Sequence, residues 1–280
     1  GKVGAIFYGI LVIAVLLIVE SVIQVAGLWP IMQRALQASG GDMDKYQQLY
    51  LAEISTSPTI VFTQLAAEVF MIIVAGVWYY LRWYKPAKDE GRIVSVLPEL
   101  KKPVFWGVVI FGSIAIYSAA AILQIIMANT ASEQNELINT GLNAMVGVGA
   151  LGAIVGSLLA PIAEELTLRG IAMRRAEKSF NLLGCMLLTA ILFSVMHLNI
   201  IQGVYALPLG LFWGYLSYRY RSVIPSMICH MISNAIGITV MYGLLPDMFQ
   251  HVPAWAVLLV VFGAITAFFI MKKEKEFKQS

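Results

Sequence analysis

Ionisable and amide side chains recur within apolar stretches in the second half of this 280-residue chain. They form three groups in which the charged, ring and amide residues are spaced four apart: Glu164, Glu165 and Arg169; Phe193 and His197; and His230 and Asn234. A charge in the middle of a bilayer costs roughly 3 kcal/mol, so residues of this kind usually have a functional or pairing role. Carboxylates and imidazoles can take up and release protons, which makes this set a candidate for acid–base chemistry.

Helical spacing indicates different tasks for the two adjacent glutamates. Residues four apart lie on one face of a helix, so Glu165 and Arg169 are predicted to form an ion pair, for which a structural role is the simpler interpretation. Glu164 is rotated by about 100° from Glu165 and can point elsewhere, so we expect the functional role there. Pro161 removes one helix hydrogen bond and is expected to leave a backbone carbonyl for another partner.

The elements that hold these motifs are apolar segments long enough to cross a membrane. Hydrophobic residues make up 59% of the chain and charged residues 12%, with a mean hydropathy of +0.79, and a water-soluble fold could not cover so much apolar surface. The apolar stretches are Val3–Leu28, Pro58–Trp83, Val104–Met127, Met145–Leu168, Leu182–Leu198, Val204–Tyr218, Val223–Leu245 and Pro253–Met271. Most can span a core of about 30 Å, although the fifth and sixth are short and residues 199–203 could complete either. The sequence therefore predicts an all-α polytopic membrane helix bundle of about eight transmembrane helices.

Positive charges lie in every second connection and at the C-terminal end. The clusters are Arg82, Lys85, Lys88, Arg92, Lys101 and Lys102; Arg169, Arg174, Arg175 and Lys178; Arg219 and Arg221; and Lys272, Lys273, Lys275 and Lys278. The connection Asn129–Asn143 contains no Lys or Arg. Because positively charged loops stay on the cytoplasmic side, both termini are predicted to be cytoplasmic. Pro30–Ser57 is then an outer connection, expected to be partly helical through Met43–Glu53.

A hairpin of the fourth and fifth spans would bring the first two motifs together. With its turn near Phe180, Glu164 lies about 24 Å before the turn and His197 about 26 Å after it, at nearly equal height. His230 would lie about 12 Å into the seventh span. It reaches the height of Glu164 and His197 if the hairpin of the fourth and fifth spans protrudes from the membrane into the cytosol. Because the turn is basic, the sequence predicts a cytoplasm-facing intramembrane cavity.

The three motifs resemble those of the CPBP family, which comprises the CAAX proteases and bacteriocin-processing enzymes and is also called the Abi family. The resemblance covers about Met145–Leu245, with the motifs in the family's order on apolar segments. It implies an intramembrane endopeptidase that cleaves a membrane-associated peptide or protein in a helix bundle open to the cytoplasmic side. One departure is Thr167 with Leu168, where family members commonly have an apolar residue and Phe.

The resemblance also implies a role for each motif residue. Glu164 and His197 would polarise the water that attacks the scissile carbonyl, with Glu164 as general base. His230 and Asn234 would stabilise the developing oxyanion. The supporting residues would be Glu165, Arg169 and Phe193.

The preferred interpretation requires no cofactor, but a divalent metal is an open alternative. Glu164, His197 and His230 would make a plausible zinc set with one open position. The chain lacks the His-Glu-x-x-His segment of soluble zinc peptidases, which favours the version without a bound metal.

No internal repeat or linker divides the chain, so residues 1–280 are interpreted as a single transmembrane domain. Within it we expect N-terminal membrane helices at 1–143, the CPBP-like catalytic core at 144–250, and the last transmembrane helix with a basic cytoplasmic tail at 251–280. The net charge of +3 and the short basic clusters argue against a nucleic-acid partner. The lipid bilayer is an expected partner, and the charge pattern fits a multi-pass protein of a bacterial plasma membrane.

Two other functions are compatible with the sequence. One is a non-catalytic scaffold or regulator of a partner membrane protein, and the other is a transporter with a proton relay, which the lack of an inverted repeat disfavours. The remaining polar residues of the apolar spans are predicted to make helix-packing contacts outside the site. They are Glu20, Gln64, Glu68 and Gln124.

Overall fold

The computed structural model describes residues 1–92, 95–128 and 147–279. Within these ranges the chain forms nine main helices and no strand: α1 (Lys2–Ser39), α2 (Met43–Thr56), α3 (Thr59–Asp89), α4 (Pro103–Ala128), α5 (Ala150–Ala176), α6 (Leu182–Met196), α7 (Ile200–Tyr220), α8 (Ile224–Met241) and α9 (Val252–Gln279). Seven of the described helices, all except α2 and α6, are long and apolar enough to cross a membrane. The predicted polytopic helix bundle is confirmed. The predicted connection Asn129–Asn143 lies outside the described residues.

The fifth and sixth predicted segments correspond to α6 and α7. With 15 residues, α6 is about 22 Å long and shorter than a bilayer core. Residues 199–203 complete α7: Oδ1 of Asn199 accepts hydrogen bonds from the N–H groups of Ile201 and Gln202 at 2.9 and 3.2 Å. This cap satisfies amides that have no partner inside the helix, which explains why α7 begins earlier than predicted.

The first helix, α1, is longer than the predicted first span because it continues through Pro30 to Ser39. The predicted outer connection is therefore mostly helical, and α2 confirms the helix expected at Met43–Glu53. Proline removes one hydrogen bond but keeps a helical φ. Burial of Ile31 in one cluster with Ile54 of α2 stabilises this extension.

Two buried apolar clusters meet at α5. A hairpin of α6 and α7 packs so closely that a Cβ on Gly210 would lie 2.9 Å from Cα of Ala190. This hairpin contributes Trp213 to a cluster that also contains Leu168 of α5. On another face of α5, Ile171 belongs to a second cluster with α1 and α3. The central position of α5 places its motif residues between the two clusters.

The connections rich in Lys and Arg gather at one end of the bundle, which we call the basic end. One pocket there is lined by Arg82 in the C-terminal part of α3, Arg174 near the end of α5 and Arg221 directly after α7. The C-terminal part of α9 joins this end through two ion pairs: Lys273 with Glu99, and Glu274 with Arg219. The alternation of charge along the sequence thus corresponds to a segregation of charge in the fold.

Candidate active site

The backbone of α5 departs from a regular α-helix on both sides of Pro161. Residues Val155–Leu159 and Leu166–Ala172 are π-helical, and in this wider register the Ala160 N–H donates to the carbonyl of Val155. Single π-helical turns of this kind occur often at functional sites. They also change which backbone carbonyl lacks a helical donor.

That carbonyl belongs to Gly156. In the π register the backbone nitrogen of residue 161 would donate to the Gly156 carbonyl, but Pro161 has no N–H. The Gly156 carbonyl instead accepts a hydrogen bond from Nδ2 of Asn234 in α8, at 3.0 Å. The carbonyl expected from the sequence is therefore present, and its partner comes from the third motif.

Glu165 and Arg169 form the predicted ion pair, and both side chains are fully buried. Nη1 of Arg169 donates to Oε1 of Glu165 at 2.9 Å, and Nη2 donates to the carbonyl of Gly210 in α7 at 2.8 Å. The guanidinium lies 5.5 and 5.7 Å from the ring centroids of Phe193 and Trp213. The pair thus fixes α5 against α6 and α7, in agreement with the structural interpretation.

The imidazole of His230 lies between the two adjacent glutamates. Nδ1 is 3.1 Å from Oε1 of Glu165, and Nε2 is 3.4 Å from Oε2 of Glu164. The ring stacks on Trp213, with the centroids 3.6 Å apart. Because Glu165 is a carboxylate paired with Arg169, Nδ1 of His230 carries a proton and donates a hydrogen bond to Oε1 of Glu165. Nε2 and Oε2 of Glu164 are close enough to exchange a proton when one of the two atoms carries it.

Glu164 reaches a cavity that Glu165 does not. Its side chain is 21% exposed, whereas that of Glu165 is 0% exposed. The cavity has a volume of about 500 Å³ and is lined by residues of α1, α3, α5, α6, α7 and α8. The two glutamates therefore occupy different environments, as their spacing on the helix predicts.

His197 follows the last residue of α6 and also lines the cavity. Its Nδ1 is 2.7 Å from the carbonyl oxygen of Phe193. A carbonyl only accepts, so Nδ1 carries the proton and Nε2 is the acceptor of the neutral ring. The Phe193 ring stands edge-on to both imidazoles, 4.7 Å from His197 and 5.6 Å from His230. Phe193 thus packs against both histidines.

The structure brings the four residues expected to do chemistry to one cavity. We call this set the motif wall: Glu164, His197, His230 and Asn234. Phe193 also lines the cavity, while Glu165 and Arg169 lie behind the wall and touch it through His230.

The opposite side of the cavity is not part of the three sequence motifs. Glu20 of α1 and Gln64 and Glu68 of α3 also line it. Nε2 of Gln64 donates to Oε1 of Glu68 at 2.6 Å, and Nε2 of Gln24 donates to Oε1 of Gln64 at 2.9 Å and to Oε1 of Glu20 at 3.1 Å. We call these four residues the α1–α3 network. The expected packing contacts exist between α1 and α3, but Glu20, Gln64 and Glu68 also line the cavity opposite the motif wall. The sequence signal for this network is a pair of polar residues four apart on each of two spans: Glu20 with Gln24, and Gln64 with Glu68.

The three candidate zinc ligands are not grouped closely enough in the described structure to form a ligand set. Among the described residues, no group of three or more His, Cys, Asp or Glu side chains is placed to hold a metal ion. Nδ1 of His230 faces Glu165 and Nδ1 of His197 bonds to a carbonyl, which is also how metal-ligating imidazoles are held, so these contacts are compatible with both versions of the mechanism. Glu164, His197 and His230 share one cavity, and the version without a bound metal stays a prediction.

Residues 147–236 match the family model described as type II CAAX prenyl endopeptidase Rce1-like. The matched segment contains all three motifs and lies within the 144–250 region expected to be catalytic. The match confirms the resemblance for this part of the chain. No curated protein and no solved structure matches the chain. The α1–α3 network lies outside the matched segment.

Proposed function

We propose that the protein is an intramembrane endopeptidase that hydrolyses a peptide bond in a membrane-associated peptide or protein. The observation that carries the proposal is the motif wall: a carboxylate, two imidazoles and an amide meet in a cavity between membrane-spanning helices. Polar and ionisable side chains inside a membrane cost free energy, so they usually have a functional role. The match to an endopeptidase family supports the same reaction class.

Glu164 and His197 activate the attacking water. When the proton shared with His230 lies on Nε2 of that ring, Glu164 is a carboxylate and can accept a proton from water. Nε2 of His197 accepts the other O–H of the same water and orients it. The water oxygen then bonds to the scissile carbonyl carbon, and the released proton moves to Glu164.

His230 and Asn234 stabilise the oxyanion of the tetrahedral intermediate. Nε2 of His230, carrying the shared proton, is a charged donor. The Asn234 amide has two N–H groups; one is held by the Gly156 carbonyl, which fixes the side chain and leaves the other for the oxyanion. Breakage of the C–N bond follows, and Glu164 returns its proton to the leaving amine.

The supporting residues act by position. Glu165 accepts from Nδ1 of His230 and so keeps Nε2 directed at Glu164, and Arg169 balances the charge of Glu165. Phe193 packs against both imidazoles. No step in this mechanism uses a metal ion.

The segregation of charge supports a topology in a bacterial plasma membrane with both termini in the cytoplasm. Positively charged connections are retained on the cytoplasmic side, and here they share one end of the bundle. The name of the matched family makes a prenylated CAAX peptide the first substrate probe.

Peptide cleavage by the purified protein in detergent tests the proposal. The probes are a quenched fluorescent farnesylated CAAX peptide and a pool of unmodified quenched peptides. Glu164→Gln keeps the side-chain shape but cannot accept the water proton, so kcat should fall by about 10²- to 10⁴-fold. Glu90→Gln makes the same change on an exposed glutamate of a connection and should cleave like the wild type.

Equal rates for Glu164→Gln and the wild type would reject the peptidase. A folded wild type that cleaves neither the CAAX peptide nor the pool would favour the scaffold function. The rate should also be unaffected by 1,10-phenanthroline. A loss on chelation that zinc restores would reinstate the metal alternative.

A further inference from the structure

Part of the cavity lining reaches the helix ends that lie away from the basic end. Ile60 is near the start of α3, Gln202 is near the start of α7, and His197 directly follows α6. Each of these residues is within about one helical turn, roughly 5 Å, of its helix end. We call these three residues the rim.

Towards the basic end, the lining stops well inside the bundle. Trp213 lies about 10 Å before the end of α7, Thr167 about 14 Å before the end of α5, and His230 about 9 Å after the start of α8. Beyond them, Met173 and Leu216 are fully buried. Packed apolar side chains therefore separate the cavity from the basic connections.

We infer that the cavity opens at its rim, on the outer face of the membrane, and that its substrate arrives from that side. The rim lies opposite the basic end, and basic connections stay in the cytoplasm. The statement about the substrate rests on the proposed peptidase function, whereas the position of the opening does not.

The height of Glu164 above the basic turn near Phe180 predicts a cytoplasm-facing cavity. Counting residues along a helix gives the depth of a side chain but not the direction from which water reaches it. The packed side chains beyond Thr167 remove the route from the basic end, and this packing depends on tertiary contacts among α5, α6 and α7.

An opening on the outer face limits the substrates that can reach Glu164. A peptide segment must be on the outer side of the membrane to enter at the rim. The substrate class that an outer opening admits is an exported peptide, or the outer juxtamembrane segment of a membrane protein.

Cysteine labelling in intact cells tests this opening. Gln202→Cys reports on the rim, Asp44→Cys on an exposed position of α2, and Lys88→Cys on an exposed position near the end of α3, at the basic end. The native thiols of Cys185 and Cys229 are buried, so the unmodified protein gives the background. A membrane-impermeant maleimide is applied to intact cells and, in parallel, to permeabilised cells.

We expect Gln202→Cys and Asp44→Cys to be labelled in intact cells, and Lys88→Cys only after permeabilisation. The inference is overturned if Gln202→Cys is labelled only after permeabilisation or in neither preparation. It is also overturned if Lys88→Cys is labelled in intact cells. Labelling needs no catalysis, so the same pattern is expected with Glu164→Gln added. Correct labelling without peptide cleavage would reject the peptidase and leave the opening in place.

Discussion

The two sides of the cavity are held in different ways. In the motif wall, Asn234 is fixed by a backbone carbonyl, and His230 is fixed by a buried ion pair and by stacking on Trp213. In the α1–α3 network, Gln24 and Gln64 donate to side-chain oxygens of the same network. A backbone carbonyl keeps its place with its helix, whereas a pair of long side chains can change rotamer together.

This difference indicates a division of labour across the cavity. Hydrolysis requires donors and acceptors held in place before the substrate binds, which suits the motif wall. A surface that contacts varied peptides benefits from side chains that can rearrange, which suits the α1–α3 network. Mutations on the two sides should therefore affect different quantities.

The largest effect is expected from removing the ion pair behind the motif wall. Arg169→Leu leaves Glu165 buried without its cation, and breaking a buried pair in this way costs about 3–5 kcal/mol. The unfolding free energy, measured by SDS titration in mixed micelles, should fall by that amount.

The double variant Glu165→Leu with Arg169→Leu separates stability from chemistry. Replacing both partners by apolar groups should restore most of the unfolding free energy. Cleavage should stay low because Nδ1 of His230 has lost its acceptor. A double variant with wild-type kcat would show that the pair only holds the helices together.

The next effect concerns a residue of the motif wall itself. Asn234→Ala removes a proposed oxyanion donor, so kcat should fall by about 10²- to 10³-fold while KM changes little. Thr239→Ala is the matched control on α8, because its hydroxyl bonds to the Ile236 carbonyl within that helix. Equal losses in the two variants would mean that the helix, and not the oxyanion site, is being perturbed.

Spacing along the sequence predicts contacts within one helix well. The pair of Glu165 with Arg169 and the separate direction of Glu164 both follow from helical geometry, and the structure has them. The position of His230 between both glutamates depends on how α8 packs against α5, which no local spacing encodes. For the same reason Gln64 was assigned to helix packing, and its exposure to the cavity became visible only in the fold.

The smallest effect is expected in the α1–α3 network. Gln64→Leu removes a hydrogen bond to Glu68 within α3 and the bonds between α1 and α3 that link Gln64 to Glu20 and Gln24. Interhelical bonds of this kind contribute about 0.6–1.7 kcal/mol. The unfolding free energy should fall within that range, kcat should change by less than about 10-fold, and the ranking of peptides by KM should change. Gln124→Leu is the matched control, an amide in an apolar span that is outside the described cavity lining, and should leave the KM ranking intact. If Gln64→Leu instead lowers kcat as much as Asn234→Ala, the two sides share the chemistry and the division of labour is wrong.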